Sequence, residues 1–171
     1  MNVILTTKLY KKYNSIDNKM RKRRYGVEKI VIGKKEIGKD YGFRETCFGI
    51  VVKDNMLYCT KKGEDLSLIG GGIEHGEDHI DCLKREFKEE AGLTIISAEP
   101  LCTIDCFWLT KTNKDMESLT NIYVCRVAEH VNEPTEEESK LQIVDINNAI
   151  NLLPLPYQKK AIEEYQNRYS Y

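Results

Sequence analysis

No apolar run in this 171-residue chain exceeds a few residues, far short of the roughly 20 needed to cross a bilayer, so no membrane span is expected. The opening MNVILTTKLYKKY lacks the basic, then apolar, then small-residue order of an export signal, and a cytoplasmic location is expected. Internal repeats and low-complexity stretches are missing too, and proline and glycine fall between periodic segments, which excludes a linker block. Histidine is scarce. His75, His79 and His130 share no zinc-ligand spacing with one another or with the Cys102 and Cys106 pair, so no zinc site is expected. The six cysteines (Cys47, Cys59, Cys82, Cys102, Cys106, Cys125) are spaced irregularly through apolar stretches, which predicts buried free thiols and no disulfide framework.

What remains is one globular domain's worth of residues, 41% hydrophobic and 31% charged. The net charge of −1 conceals an asymmetry: residues 1–40 carry twelve Lys or Arg against four Asp or Glu, and the rest carry fourteen against twenty-three. Lys19 to Arg24 form a dense basic cluster, suited to phosphate or nucleic acid and equally to a solvated face. Residues 1–40 therefore read as a basic N-terminal extension that can add strands, Asn2–Thr6 and Val27–Ile32, to the sheet of a domain over 41–171.

From Glu45 onward the pattern sharpens. Glu45–Val52 and Met56–Thr60 read as strands joined by a turn at Asp54-Asn55, and Gly70-Gly71-Gly72 reads as a break. Between Asp78 and Ala91, the residues Ile80, Leu83, Phe87 and Ala91 fall on one helical arc, with Gly92 where a left-handed cap belongs. Strands are expected at Thr94–Ile96, Cys102–Leu109 and Thr120–Ala128, separated by Pro100 and by the polar stretch 111–118. An exposed loop at Glu133–Ser139, a strand at Leu141–Val144, a short helix capped by Asp145 and a closing helix from Pro156 to about Tyr165 complete the chain. Together these predict an α/β protein with a mixed sheet covered on both faces.

On the predicted helix, Glu86, Glu89 and Glu90 stand at i, i+3 and i+4 and share one face beside the buried arc. Like charges so placed repel, and partial burial raises the cost of ionisation, so the cluster must hold protons, stay fully solvated or bind cations, and hard divalent cations are the natural solution. Oxygen donors suit Mg²⁺, which keeps coordination positions open for water and substrate phosphates. The glycine bend before the helix leaves backbone groups such as the Gly70 carbonyl free to join the metal shell. Arg85 can hold a carboxylate through its planar fork. Glu77, near the helix start, suits either a cap for backbone amides or a catalytic part.

Gly71, Glu77, Arg85, Glu86, Phe87, Glu89, Glu90, Gly92 and Leu93 together resemble the signature of the Nudix hydrolase family at every position, with Phe87 where a smaller aliphatic residue is usual. The resemblance covers roughly residues 41–165. It implies a Nudix-type α/β/α sandwich with a mixed central sheet, and a hydrolase that cleaves diphosphate linkages using Mg²⁺ or Mn²⁺. By resemblance, Glu86, Glu89 and Glu90 are metal ligands, the Gly70 carbonyl is a further ligand, and Arg85 orients Glu86. Glu86 is the first choice for the base acting on water, with Glu117 in the polar stretch as the alternative and Glu136 to Glu138 behind it. Arg44 is a candidate for binding substrate phosphate. Some relatives carry a marker Pro or Tyr about fifteen positions beyond the motif, where this chain has Trp108 and Leu109, so no such substrate assignment follows.

The expected partner is a small phosphorylated substrate such as a nucleoside diphosphate derivative, with no membrane, and a homodimer left open. Two other functions compete with it. One is an RNA 5′-end pyrophosphohydrolase or decapping-type enzyme that uses Lys19–Arg24 to bind nucleic acid. The other is a non-catalytic metabolite-sensing module, against which the intact set of glutamates argues.

Overall fold

The computed structural model describes residues 22–24, 27–128 and 132–169. Asn2–Thr6, Lys19–Arg21 and His130 lie outside them. Among the described residues nine strands form one mixed sheet: β1 (Lys22–Arg24), β2 (Val27–Ile32), β3 (Gly42–Ile50), β4 (Val52–Lys53), β5 (Met56–Lys62), β6 (Asp65–Gly72), β7 (Ile95–Leu109), β8 (Asp115–Val127) and β9 (Ser139–Asp145). Their order is β1-β2-β7-β8-β3-β6-β5-β4, with β9 paired to β5. Helix α1 (His79–Ala91) follows β6, and α2 (Ile146–Leu152) and α3 (Pro156–Tyr169) close the chain. Val27–Ile32 is a strand as expected, and it runs parallel to β7.

Alternation along β3 produces the layers. Cys47 and Val51 enter a core with Cys82, Leu83, Phe87 and Ala91 of α1, whereas Phe48 and Ile50 enter a larger core with Ile146, Ala149, Tyr157, Ala161 and Ile162 of α2 and α3. Both faces of the sheet are thus covered. Phe87, the large residue in the motif, is fully buried because its sheet neighbour is Gly49, where a Cβ would stand 2.4 Å from the Phe87 Cζ. Burying that ring stabilises the α1 layer by about 2–3 kcal/mol, and a side chain at Gly49 would remove the space for it. All six cysteines are free and buried.

The Asp54-Asn55 turn is present, with φ of 52° and 62° at the two residues, the double left-handed geometry of a tight hairpin. Three expectations need correction. Gly70 to Gly72 do not break the fold but finish β6, paired with Phe48, Cys47 and Thr46 of β3. A Cβ at Gly70, whose φ is 143°, would lie 2.2 Å from the Cys47 carbonyl oxygen, so the missing side chains are what let the strands close. Pro100 does not divide two strands: β7 runs unbroken from Ile95 to Leu109, with register shifts beside Ser97 and between Pro100 and Cys102. Pairing of β2 begins only at Cys102, so the missing Pro100 N–H falls on an edge. Finally, β8 starts at Asp115, so Glu117 belongs to a strand and not to a loop.

Candidate active site

The helix that carries the motif is set at both ends. Asp78 caps it, its Oδ1 accepting from the Ile80 and Asp81 N–H groups at 2.8 and 2.9 Å. The cap is therefore Asp78, not Glu77. At the other end Gly92 is left-handed at φ 65°, and its N–H donates to the Lys88 carbonyl at 3.2 Å. A Cβ at Gly92 would come within 1.8 Å of the Asn132 carbonyl oxygen, so the cap also fits against the loop before β9.

Beside this helix an open cavity of about 480 Å³ is lined by Arg44, Lys62, Gly70, Gly71, Arg85, Glu86, Glu89, Glu90, Thr135 and Glu136. Five parts of the chain thus meet at one place. β6 supplies the two glycines, β3 and β5 supply Arg44 and Lys62, α1 supplies the motif side chains, and the loop before β9 supplies the rest. Gly71 leaves its side open for a carboxylate: a Cβ there would stand 2.3 Å from the Glu86 Oε1.

Every donor of the Arg85 fork is engaged. Nε donates to Glu77 Oε1 at 2.6 Å and Nη2 to Glu77 Oε2 at 3.0 Å, a bidentate pair. The remaining contacts run from Nη2 to the Gly72 carbonyl at 3.0 Å, and from Nη1 to Glu86 Oε1 at 2.9 Å and Glu89 Oε2 at 3.2 Å. Glu77 neither caps the helix nor lines the cavity; it anchors the arginine that holds Glu86 and Glu89. The Arg85 hydrogen bonds, with a second from the Glu74 N–H, bring the Glu77 carboxyl down to about 2. Arg85 itself is held above its ordinary value, chiefly by Glu77.

The cavity carboxylates feel the opposite influence. Burial pushes Glu90 up to about 7, although its Oε2 accepts from the Gly70 N–H at 3.2 Å and from Thr60 Oγ1 at 3.5 Å. Burial also raises Glu86 against the pull of Arg85. Desolvation with too few partners favours the neutral acid, and a bound cation would reverse it.

Arg44 contrasts with Arg85. It is exposed, its side chain makes no hydrogen bond or ion pair with the described residues, and it lies over the bare Cα of Gly72, its Nη2 3.0 Å from where a Cβ would be. Lys62 is ion-paired to Glu136. Glu117 does not line the cavity; its Oε2 accepts from Lys35 Nζ at 2.7 Å. Lys62 and Thr135 were not foreseen from the sequence, where the only trace of the first is Lys61-Lys62 ahead of a Gly63 turn.

The donor set fits a hard divalent cation. Glu86, Glu89, Glu90 and Glu136 offer carboxylate oxygen alone, and Glu90 is partly buried with no cation in direct ion pairing with it. Among the described residues no three acidic, histidine or cysteine side chains are already gathered at metal-ligand spacing. Arg85 and Lys62 hold three of the four carboxylates in their present directions.

The NUDIX domain family model matches residues 45–166. The chain therefore belongs to the Nudix family, hydrolases that act on diphosphate linkages and generally use divalent metal cations. Among solved structures, a MutT protein from Bacillus halodurans is similar at a TM-score of 0.59 and 19% identity, covering 70% of this chain and 80% of its own. A NUDIX hydrolase from Nitrosomonas europaea is similar at 0.61 and 14%, covering 74% and 90%. A MutT NUDIX hydrolase from Burkholderia pseudomallei is similar at 0.58 and 20%, covering 72% and 98%. A search of curated proteins finds no significant match. No helix among the described residues is long and apolar enough to cross a membrane.

Proposed function

We propose that the chain hydrolyses the diphosphate linkage of a nucleoside diphosphate derivative or a related small phosphorylated metabolite. The observation that carries this reading is the convergence of Glu86, Glu89, Glu90, Gly70 and the unengaged Arg44 on one open cavity. Glu86, Glu89 and Glu90, with the Gly70 carbonyl, would hold Mg²⁺ or Mn²⁺, and the bound ion would neutralise phosphate oxygens and make a bound water more acidic.

The chain's own residues do the rest. Arg44, with five donors free, binds diphosphate oxygens and sets the distance of the scissile linkage from α1. Arg85 fixes the directions of Glu86 and Glu89 through the contacts described, so these carboxylates need little reorganisation when substrate enters. Glu86 accepts a proton from the attacking water at the oxygen that Arg85 leaves free. Glu117, held by Lys35 outside the cavity, gives way to Glu136 as the alternative base.

Incubating the purified protein with a panel of nucleoside diphosphate derivatives, with Mg²⁺ and then with excess chelator, tests the reading. Phosphate-containing products that appear only with the metal are the expected result. Equal turnover after Glu89→Gln or Glu90→Gln would remove the proposed roles of those carboxylates. The RNA alternative rests on Lys19–Arg24, of which Lys22–Arg24 form β1 antiparallel to β2. Neutralising the cluster without loss of RNA binding or of its salt dependence would eliminate that alternative.

A further inference from the structure

Lys62 has no part in the chemistry above, yet it sits at the mouth of the cavity. Its backbone is fixed on both sides, paired with Asp65 on β6 and with Ser139 on β9. Its partner Glu136 is carried by a segment equally well held. The Glu136 N–H donates to the Glu89 carbonyl at 2.9 Å, the Asn132 N–H donates to the Gly92 carbonyl at 2.8 Å, and the Glu136 carbonyl accepts from the Ser139 N–H at 3.1 Å. The two side chains are freer than the strands and loop beneath them, being 53% and 35% exposed. Glu138 and Glu90 are further acidic neighbours of the ammonium.

The charges of the cavity decide what this pair can do. Four carboxylates line it against three cations, and Arg85 is fully committed. Arg44 is unengaged, so Lys62 is the one cavity cation whose partner an incoming anion can replace. A half-exposed ion pair is weakly held, and the lysine stem lets a compact ammonium move without disturbing the strand.

We propose that Lys62 is a substrate-responsive latch on Glu136. The ammonium holds the Glu136 carboxylate at the cavity mouth until a diphosphate group arrives, then passes to the diphosphate oxygens and leaves Glu136 free inside. The latch rests on the hydrolase reading for its trigger. No covalent bond changes; one ion pair replaces another, and loss of the product restores the first. Lys62 acts as a positioning residue toward Glu136 and as a direct contact toward the substrate. The two partners therefore oppose one another: Lys62 supports diphosphate binding, and Glu136 competes with it.

The test uses the full chain, Mg²⁺ and imidodiphosphate, whose P–N–P bridge resists hydrolysis. Binding is measured by calorimetry and amide hydrogen exchange is followed over residues 132–138. Lys62→Met should weaken binding about tenfold and Lys62→Arg less than about threefold, while Glu136→Gln should tighten binding about threefold, as expected when a competing charge is removed. The Lys62→Met, Glu136→Gln double variant should match Lys62→Met alone. Ligand should speed exchange over residues 132–138 in the wild-type chain but not in Lys62→Met, where exchange is already fast. A bridge that only supports the fold would make both single variants bind more weakly, and that result overturns the latch. So does unchanged binding by Lys62→Met, or no binding of imidodiphosphate by the wild-type chain. Turnover of the substrate panel judges the hydrolase reading separately: turnover with an inert Lys62 sinks the latch alone, and the expected binding pattern without turnover sinks the hydrolase reading alone. Thermal midpoints identify any variant that fails to fold, in which case Glu136→Gln and Lys62→Arg still decide.

Discussion

Two arginines meet the same residue, Gly72, and have opposite fates. Arg85 donates to the Gly72 carbonyl and spends its other donors on Glu77, Glu86 and Glu89, whereas Arg44 lies over the Gly72 Cα with every donor unengaged. The difference separates the cavity into two walls. The α1 wall is internally saturated and serves to hold carboxylates in place, while the wall of β3 and β5 keeps cations that can be given to a ligand. A saturated guanidinium stabilises geometry; an unsatisfied one is available for recognition.

Four experiments can break or sharpen that contrast. The largest effect belongs to the carboxylates of the α1 wall: Glu89→Gln and Glu90→Gln should each lower kcat by roughly a thousandfold, about 4 kcal/mol, in steady-state assays of a substrate from the panel. Arg85→Gln comes next. It should cost about a hundredfold in kcat/KM and also lower the thermal midpoint by roughly 3–5 °C, because Glu77 and Glu86 lose their partner. Arg44→Gln should raise KM by about tenfold and leave the midpoint within about 1 °C, as expected of a residue that binds ligand and supports nothing else. An Arg44 variant that destabilises the fold as much as Arg85→Gln would erase the distinction between the walls.

The last test concerns the sheet beneath both walls, and its effect is spread over four side chains. Burial pushes the thiols of Cys59, Cys102, Cys106 and Cys125 up to about 12. An unfolded thiol ionises near pH 8.5, so above that pH the unfolded chain releases protons that the folded one keeps. The stability from these groups is complete below about pH 8.5 and falls as pH rises toward 12, by about 1.4 kcal/mol per thiol at pH 9.5. Urea midpoints at pH 7.5 and 9.5 measure it. Equal midpoints would mean that the sheet admits water where the structure packs it dry.

Much of the α1 wall was legible in the sequence because its parts are local. Glu86, Glu89 and Glu90 share a helix face by spacing alone, Gly92 ends that helix by its own conformational freedom, and Arg85 reaches two of the glutamates from within the same turns. The opposite wall was legible only at Arg44, because long-range register builds the rest of it. Lys62 faces Glu136 only because β5 pairs with β9, and nothing near either residue announces the other. Local signals also misled where tertiary pairing overruled them. Glycine at 70–72 was read as a break when it allowed close strand approach, and Pro100 was read as a boundary when a bulge on an edge absorbed it. Glu117 was read as part of a polar stretch between strands when it lies within β8, paired with Phe43 and Phe107.

The clasp between α1 and the loop before β9 has a consequence for how this chain tolerates change. Two carbonyls at the end of the helix, those of Glu89 and Gly92, are satisfied by the amides of Glu136 and Asn132. The helix and loop therefore have a fixed phase relation, like two gears cut to one pitch. Substitutions at 133–135 that keep the backbone leave that phase intact, but a single inserted residue would free one carbonyl and turn Glu136 away from the cavity. What the fold specifies here is the length of a segment more than its composition.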